Sequence, residues 1–365
     1  MKFIINKNII VEELLKIIGP TTTKQNLPIL SSIFIETKNN TLKIISTDLD
    51  ITIITKIKTT VLSEGRAVVP SKRFISIIKE MPSCDITVEK VKNDILINCE
   101  KIEFKLTTFP VEDFPKIEEQ KKAILLKINP QTLHNMIVLT SFSVGFDDIN
   151  YVLGGVLFEL FENKINLVST DQKRLSFSQE EIPASQPPTQ KKLNLIIPLK
   201  AVYELQKLIK EEEDDILLFT SENKVGFDIK KTQFIARLIE GEFPNYKQFI
   251  PPESKNKLTV NRKDFILTLR RADTLSNQDY QSVKINLKKD SITVTKTTPQ
   301  EGEVKEVVEG NYTGEPIQIG FNPKYLIDAL KNLKNEKTVF EFFGPDKPAV
   351  VREGSYTYLV LPMTI

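Results

Sequence analysis

The chain has 365 residues, with 50 Lys and Arg against 48 Asp and Glu, a formal net charge of +2, 40% apolar residues and 27% charged ones, the make-up of a globular protein of two or three domains with ample core. Its two cysteines, Cys84 and Cys99, exclude a disulfide-rich scaffold and read as free thiols; its one histidine, His134, excludes a multi-histidine metal site and reads as a surface or groove residue of a helix. No apolar run approaches the ~18 residues of a membrane span, the first residues are too interrupted by Lys and Asn for a secretory core, and neither a dinucleotide fingerprint nor a phosphate-cradling P-loop occurs, so a cytoplasmic chain without a cofactor is expected.

The first predicted helix is Lys7–Gly19, after a short strand. An apolar, β-rich stretch follows at Leu27–Glu36. Leu42–Ile45 and Ile51–Ile57 then alternate with period two, the mark of half-buried strands, and Thr47-Asp48 lies between them. Val68–Pro82 holds an apolar run, Pro70, Lys72 and an amphipathic helix over Ser71–Met81. Its Phe74, Ile75, Ile77, Ile78 and Met81 face inward, leaving Lys72, Ser76 and Lys79 outside. Ile86–Val91, Ile95–Asn98 and Phe104–Leu106 alternate again, and the polar join Pro115–Lys122 follows Phe114-Pro115.

The order then starts over. A helix over Pro130–Phe142 leads to Tyr151–Leu160, Thr170-Asp171, the strand and helix of Ile196–Glu211 with Pro198, then Phe243-Pro244 and the join Pro251–Lys257. A third round runs through a helix over Arg262–Ser276, then Gln281–Leu287 and Ile319–Lys334 with Pro323; Ile292–Thr298 stands where the Thr-Asp would be. Pro70 and Pro198 are 128 residues apart, Pro198 and Pro323 125, and the two Thr-Asp aspartates 123. Such spacing predicts a triplicated module of two helices and many strands, an α+β fold, with each Pro in the first turn of its helix. The boundaries fall at 1–122, 123–251 and 252–365.

Charge follows the helices. The six predicted helices together carry +8, leaving −6 for everything else. Four of them are each +2, and in three of these Lys72 and Lys79, Lys200, Glu204 and Lys207, and Lys324, Asp328 and Lys331 fall on the face opposite the apolar stripe. For one helix this is an ordinary solvated surface; for four in a repeat it points to a polyanion such as nucleic acid.

In these features the chain resembles the bacterial DNA polymerase III β subunit family, the replicative sliding clamps. The matches run end to end: Met1-Lys2-Phe3, Gly19-Pro20 with Leu27-Pro28-Ile29-Leu30, Thr47-Asp48-Leu49, Phe109-Pro110 and Phe114-Pro115. They continue with Thr170-Asp171 and Arg174-Leu175, Gly241 with Phe243-Pro244 and Tyr246, Leu275-Ser276-Asn277, Gly320-Phe321-Asn322 and Leu361-Pro362-Met363. The resemblance implies three clamp domains and a ring-shaped homodimer with helices lining the hole. It implies a clamp that encircles duplex DNA and tethers the replicative polymerase, with no catalysis of its own. Partners implied are double-stranded DNA, the polymerase catalytic subunit, an ATP-driven clamp loader and other proteins docking through short peptides.

Carried over with the helix charges, the expected DNA-binding residues are Lys24, Lys72, Arg73, Lys79, Tyr151, Lys200, Lys207, Arg270, Lys324 and Lys331. The implied peptide pocket comprises Leu153, Thr170, Lys173, Arg174, Leu175, Pro244, Phe249, Pro348, Leu359, Leu361, Pro362 and Met363. The implied dimer interface takes Phe104, Leu106, Thr274 and Leu275. The chain departs from the family where Gln172-Lys173 replaces a common Gly-His, where Gln248 replaces a common Arg, and in its ending Thr364-Ile365. Two other readings stand beside this one. Asp48/Asp50 and Asp147/Asp148 are paired carboxylates of the kind metal-dependent phosphoryl chemistry uses, or turn caps. A non-encircling, basic, β-rich nucleic-acid-binding monomer is the other.

Overall fold

A computed structural model describes residues 1–22, 27–117, 122–145, 150–182, 189–289 and 291–364. Among them are six α-helices: α1 (Lys7–Ile17), α2 (Ser71–Glu80), α3 (Pro130–Thr140), α4 (Leu199–Ile209), α5 (Arg262–Asp273) and α6 (Pro323–Asn332). All the strands pair antiparallel, in sheets of five, eight, nine and four strands.

Asparagine starts the helices. Asn6, Asn129 and Asn261 each accept, through the side-chain oxygen, an amide of the first turn of α1, α3 and α5. Asn322 does the same for α6, where Pro323 is the first helical residue. Each cap satisfies a donor that the helix leaves without a partner, worth about 1 kcal/mol. The other two prolines differ from expectation. Pro70 and Pro198 close the preceding strands, Gly65–Pro70 and Thr189–Pro198, and the helix begins one residue later. A proline at a strand end removes an amide just where pairing stops. Similarly, Leu27–Glu36 and Tyr151–Leu160 each open with a single 3₁₀ turn, Pro28–Ser31 and Tyr151–Gly154, before the strand starts.

The chain forms two compact units that divide the middle repeat: residues 1–133 with 200–238, and 134–199 with 239–365. In the first, strand Thr232–Arg237 of the middle repeat pairs with Ile51–Lys58 of the first, from Thr232 opposite Thr55 to Ala236 opposite Ile51. One sheet of eight strands therefore runs through the junction of two repeats. The second unit repeats the device: Arg174–Glu181 pairs with Tyr356–Val360, from Arg174 opposite Val360 to Ser178 opposite Tyr356. Strand Ile102–Thr107 is one edge of the five-stranded sheet, opposite Thr60–Ser63, and Gly302–Val308 one edge of the four-stranded sheet, opposite Ile317–Phe321.

Helices cover one face of the sheets. On α2, Phe74, Ile75, Ile78 and Met81 are buried, Ile77 is half-buried, and Lys72, Arg73 and Lys79 are exposed, following the sequence periodicity. α5 and α6 lie against each other over a core whose rings meet edge to face, Phe265 with Phe340 at 5.6 Å and Tyr312 with Phe342 at 6.2 Å. One expectation is overturned outright. Cys84 and Cys99 are not free thiols but a disulfide across the base of the Asp85–Val91 and Asp94–Cys99 hairpin, with Cα atoms 6.7 Å apart. Antiparallel pairing brings the two ends of that hairpin together, which separation in sequence alone does not reveal.

Candidate functional site

Two turns are built alike. In the first repeat, Thr47 Oγ1 donates to the Ile51 carbonyl at 3.0 Å, and Asp48 Oδ1 accepts the amides of Asp50 and Ile51 at 3.1 and 2.7 Å. In the second, Thr170 Oγ1 donates to the Arg174 carbonyl at 2.6 Å, and Asp171 Oδ1 accepts the amides of Lys173 and Arg174 at 3.0 and 2.9 Å. Leu49 and Gln172 sit between with φ of 80° and 69°, and each donates its amide to the threonine oxygen. The Thr-Asp echo is thus a turn that trades side-chain oxygens for backbone partners. The second oxygen of Asp48 receives the Lys200 ammonium, which assigns this aspartate to structure rather than to a carboxylate pair. Asp147 and Asp148 lie outside the described residues. Among those described, no three His, Cys, Asp or Glu residues stand together as metal ligands would.

The second turn adjoins an apolar floor. Directly after it, Leu175 stands opposite Leu359, and Leu359 opposite Val350. All three are buried with Leu157, Val168, Ile196 and Tyr246 in one apolar cluster. The tail beyond the last strand is then held beside the turn: the Leu361 amide donates to the Lys173 carbonyl at 2.8 Å and the Met363 amide to Gly320 at 2.9 Å. Lys173, Pro244, Phe249 and Leu361 are exposed around this floor, while Thr170, Pro348, Pro362 and Met363 are half-exposed. Of the twelve expected pocket residues, Leu153, Leu175 and Leu359 are buried beneath the surface rather than lining it. Val152, Phe177, Ile239 and Phe343, which the sequence reading passed over, pack half-buried against the cluster. Period-two spacing from Leu175 was the available signal for Phe177.

Arg174 fixes this geometry. Its Nε donates to Asp171 at 2.9 Å, its Nη1 to Asp328 of α6 at 2.9 Å, and its guanidinium lies 4.4 Å from the Tyr325 ring centre. With two carboxylates and a ring around it, Arg174 is a brace between the second and third repeats. A second brace is Glu159, fully buried on the strand next to the edge of the nine-stranded sheet. It accepts Tyr246 Oη at 2.9 Å and Asn166 Nδ2 at 2.8 Å, and the Lys192 and Lys247 ammoniums stand at 2.7 and 3.2 Å. Burial pushes this carboxyl up, but the hydrogen bonds from Lys192, Asn166, Tyr246 and Lys247 outweigh it and hold it at about 2. Tyr246, anchored there, starts the 3₁₀ turn whose end presents Phe249.

The expected DNA-contacting side chains lie mostly on helix surfaces. Lys72, Arg73 and Lys79 on α2, Lys200 and Lys207 on α4, Arg270 on α5, and Lys324 and Lys331 on α6 are exposed, and so is Tyr151 on its 3₁₀ turn. Two are not free charges: Lys200 is paired with Asp48, and Lys207 with Glu204 at 2.7 Å. Lys24 lies outside the described residues. His134 is half-buried on α3. Phe104 and Leu106 lie on the edge strand Ile102–Thr107, and Thr274 and Leu275 follow the end of α5. No helix among the described residues is long and apolar enough to cross a membrane.

Three tandem α+β modules, joined through continuous sheets, define a clamp-type protein. The N-terminal, central and C-terminal domain models of the DNA polymerase III beta subunit match residues 1–118, 127–245 and 247–364. The beta sliding clamp of Staphylococcus aureus is 31% identical over 380 residues, covering 100% of this chain and 99% of that one. Crystal structures of the Bacillus subtilis sliding clamp (27% identity, TM-score 0.92, 100% and 99% coverage) and of the Pseudomonas aeruginosa clamp bound to griselimycin (25%, 0.94, 100% of both) share the fold. The chain belongs to the DNA polymerase III beta subunit family. It is accordingly a processivity clamp of DNA replication and not an enzyme.

Proposed function

We propose that two copies of the chain close head to tail into a ring that encircles duplex DNA, with the helices lining the hole. One observation carries this reading. Within the chain, each junction between repeats is a pair of antiparallel strands. Two of the strands left at sheet edges, Ile102–Thr107 of the first repeat and Gly302–Val308 of the third, expose Ile102, Phe104 and Val307. An open edge with apolar side chains invites a partner strand. If each copy offers one edge of each kind, two copies satisfy both and the assembly closes. Phe104 and Leu106 on one side, with Thr274 and Leu275 on the other, form the proposed interface, between domains bounded at 1–122, 123–251 and 252–365.

Exposed Lys and Arg of α2, α4, α5 and α6 contact phosphates without reading bases. Lysine suits a sliding contact, because a flexible point charge fixes no register. Retention then comes from enclosure rather than affinity. The groove beside Arg174 and Leu175 takes short apolar peptides of the replicative polymerase, an ATP-driven loader and other partners, which share the cytoplasm with the clamp. The test is a ring loaded on nicked circular DNA. It stays through a high-salt wash and leaves when the circle is cut; equal loss from circular and linear DNA, or a solution mass of one chain, rejects the reading.

A further inference from the structure

The eight-stranded sheet of the first unit has a face turned away from α1. Thr55 donates to Glu13 of α1, so its strand neighbours Ile54 and Lys56 point to the opposite side. Lys43 stands directly opposite Lys56 on the next strand. There a cleft of about 580 Å³ opens, floored by Ile54, Ile117 and Leu217, with Lys43 and Lys56 beside them and Lys122, Lys230 and Lys231 around the rim. Lys122 is held by Asp228 at 2.6 Å, Lys230 by Glu212 at 3.1 Å and Lys231 by Glu13 at 2.7 Å. Lys43 and Lys56 have no carboxylate partner among the described residues. Like charges directly across two strands repel, and an anion between them reverses the sign of the interaction.

We propose that this cleft docks an extended acidic segment of a partner protein, with carboxylates at Lys43 and Lys56 and a bulky apolar side chain on Ile54, Ile117 and Leu217. Extended chains alternate their side chains, which suits a floor of aliphatics flanked by ammoniums. Single-stranded nucleic acid fits less well, since the lining has no ring among the described residues on which a base would stack. The cleft borders the first junction of repeats as the apolar groove borders the second: Ile54 stands opposite Gln233 as Phe177 stands opposite Thr357. The proposal does not depend on ring closure.

The probe is a short fluorescein-labelled peptide alternating glutamate and leucine, titrated with the full chain at low salt and read by anisotropy. Binding is expected. Lys43→Gln with Lys56→Gln weakens it about tenfold, Met363→Ala leaves it unchanged, and the double variant melts no lower than the parent because a repulsion is gone. No binding by the parent, or equal binding by the double variant, overturns the proposal. Displacement of the peptide by oligothymidylate at equal concentration overturns it in favour of a nucleic-acid surface. Binding that appears only after Glu118→Gln with Glu119→Gln overturns it too, by naming the chain's own acidic linker as the occupant.

Discussion

Lys231 Nζ lies 2.7 Å from Glu13 Oε1, although the two residues belong to different repeats. Glu13 is completely buried on α1 and also meets Lys16 at 3.3 Å and Thr55 Oγ1 at 3.1 Å. Removing one partner of a buried charge costs far more than the pair contributes. Lys231→Ala is nevertheless expected to destabilise the first unit by only about 1 kcal/mol, since the half-exposed ammonium is lost while Lys16 and Thr55 still hold Glu13, whereas Glu13→Gln with Lys231→Gln loses less than the sum of the two single changes. Denaturant unfolding of the three variants measures the coupling.

Stability in acid should follow Glu159. Its folded pKa of about 2 lies below the ordinary 4.5, so its contribution is complete above pH 4.5 and disappears as pH falls through 2. The shift corresponds to roughly 3 kcal/mol. Glu159→Gln is expected to unfold more easily at neutral pH and to show a flatter stability profile between pH 4.5 and 2, read by circular dichroism. An unchanged slope would mean that other carboxylates set the acid limb.

Reduction should weaken the first unit. The Cys84–Cys99 bridge spans 15 residues, and closing a loop of that size is worth about 3 kcal/mol. Calorimetry with and without dithiothreitol, and of Cys84→Ser with Cys99→Ser, should give the same lowered transition.

In the groove, binding and stability separate. Met363 is half-exposed at the rim, so Met363→Ala is expected to weaken a peptide copying the polymerase's clamp-binding segment by roughly tenfold with no change in melting. Arg174→Ala leaves Asp171 and Asp328 without their shared cation and is expected to lower both, with about 3 kcal/mol lost. Anisotropy and calorimetry on the same samples distinguish the two.

At the edge strands, Leu106→Glu places a carboxylate in the proposed interface. It is expected to halve the mass seen by sedimentation without altering the fold of either unit. A variant that keeps the parent's mass would move the interface elsewhere.

The repeat was legible because it rests on residues with one job each. Thr-Asp marks a turn, and the apolar stripe of α2 marks the buried face. The asparagine caps recur at 6, 129 and 261 but passed unnoticed, since a lone Asn before a helix is common. What the sequence hid was pairing across distance. Nothing near Asp48 announces Lys200, and nothing near Arg174 announces Asp328. Among the residues named for the groove, Leu175 and Leu359 face each other in the interior once their strands pair. The lysines at 43 and 56 were counted only within a remainder of −6, a sum that hides a local cluster.

The junction strand Thr232–Arg237 has a consequence for anyone dissecting the molecule. It is encoded more than a hundred residues after the strand Ile51–Lys58 with which it pairs. A truncation ending at Lys122 would strip Ile51–Lys58 of one of its two neighbours and take away Lys231, leaving the buried Glu13 carboxylate to Lys16 and Thr55 alone. The N-terminal third is thus expected to be insoluble as an isolated fragment, and to be rescued by co-expressing the remainder of the polypeptide.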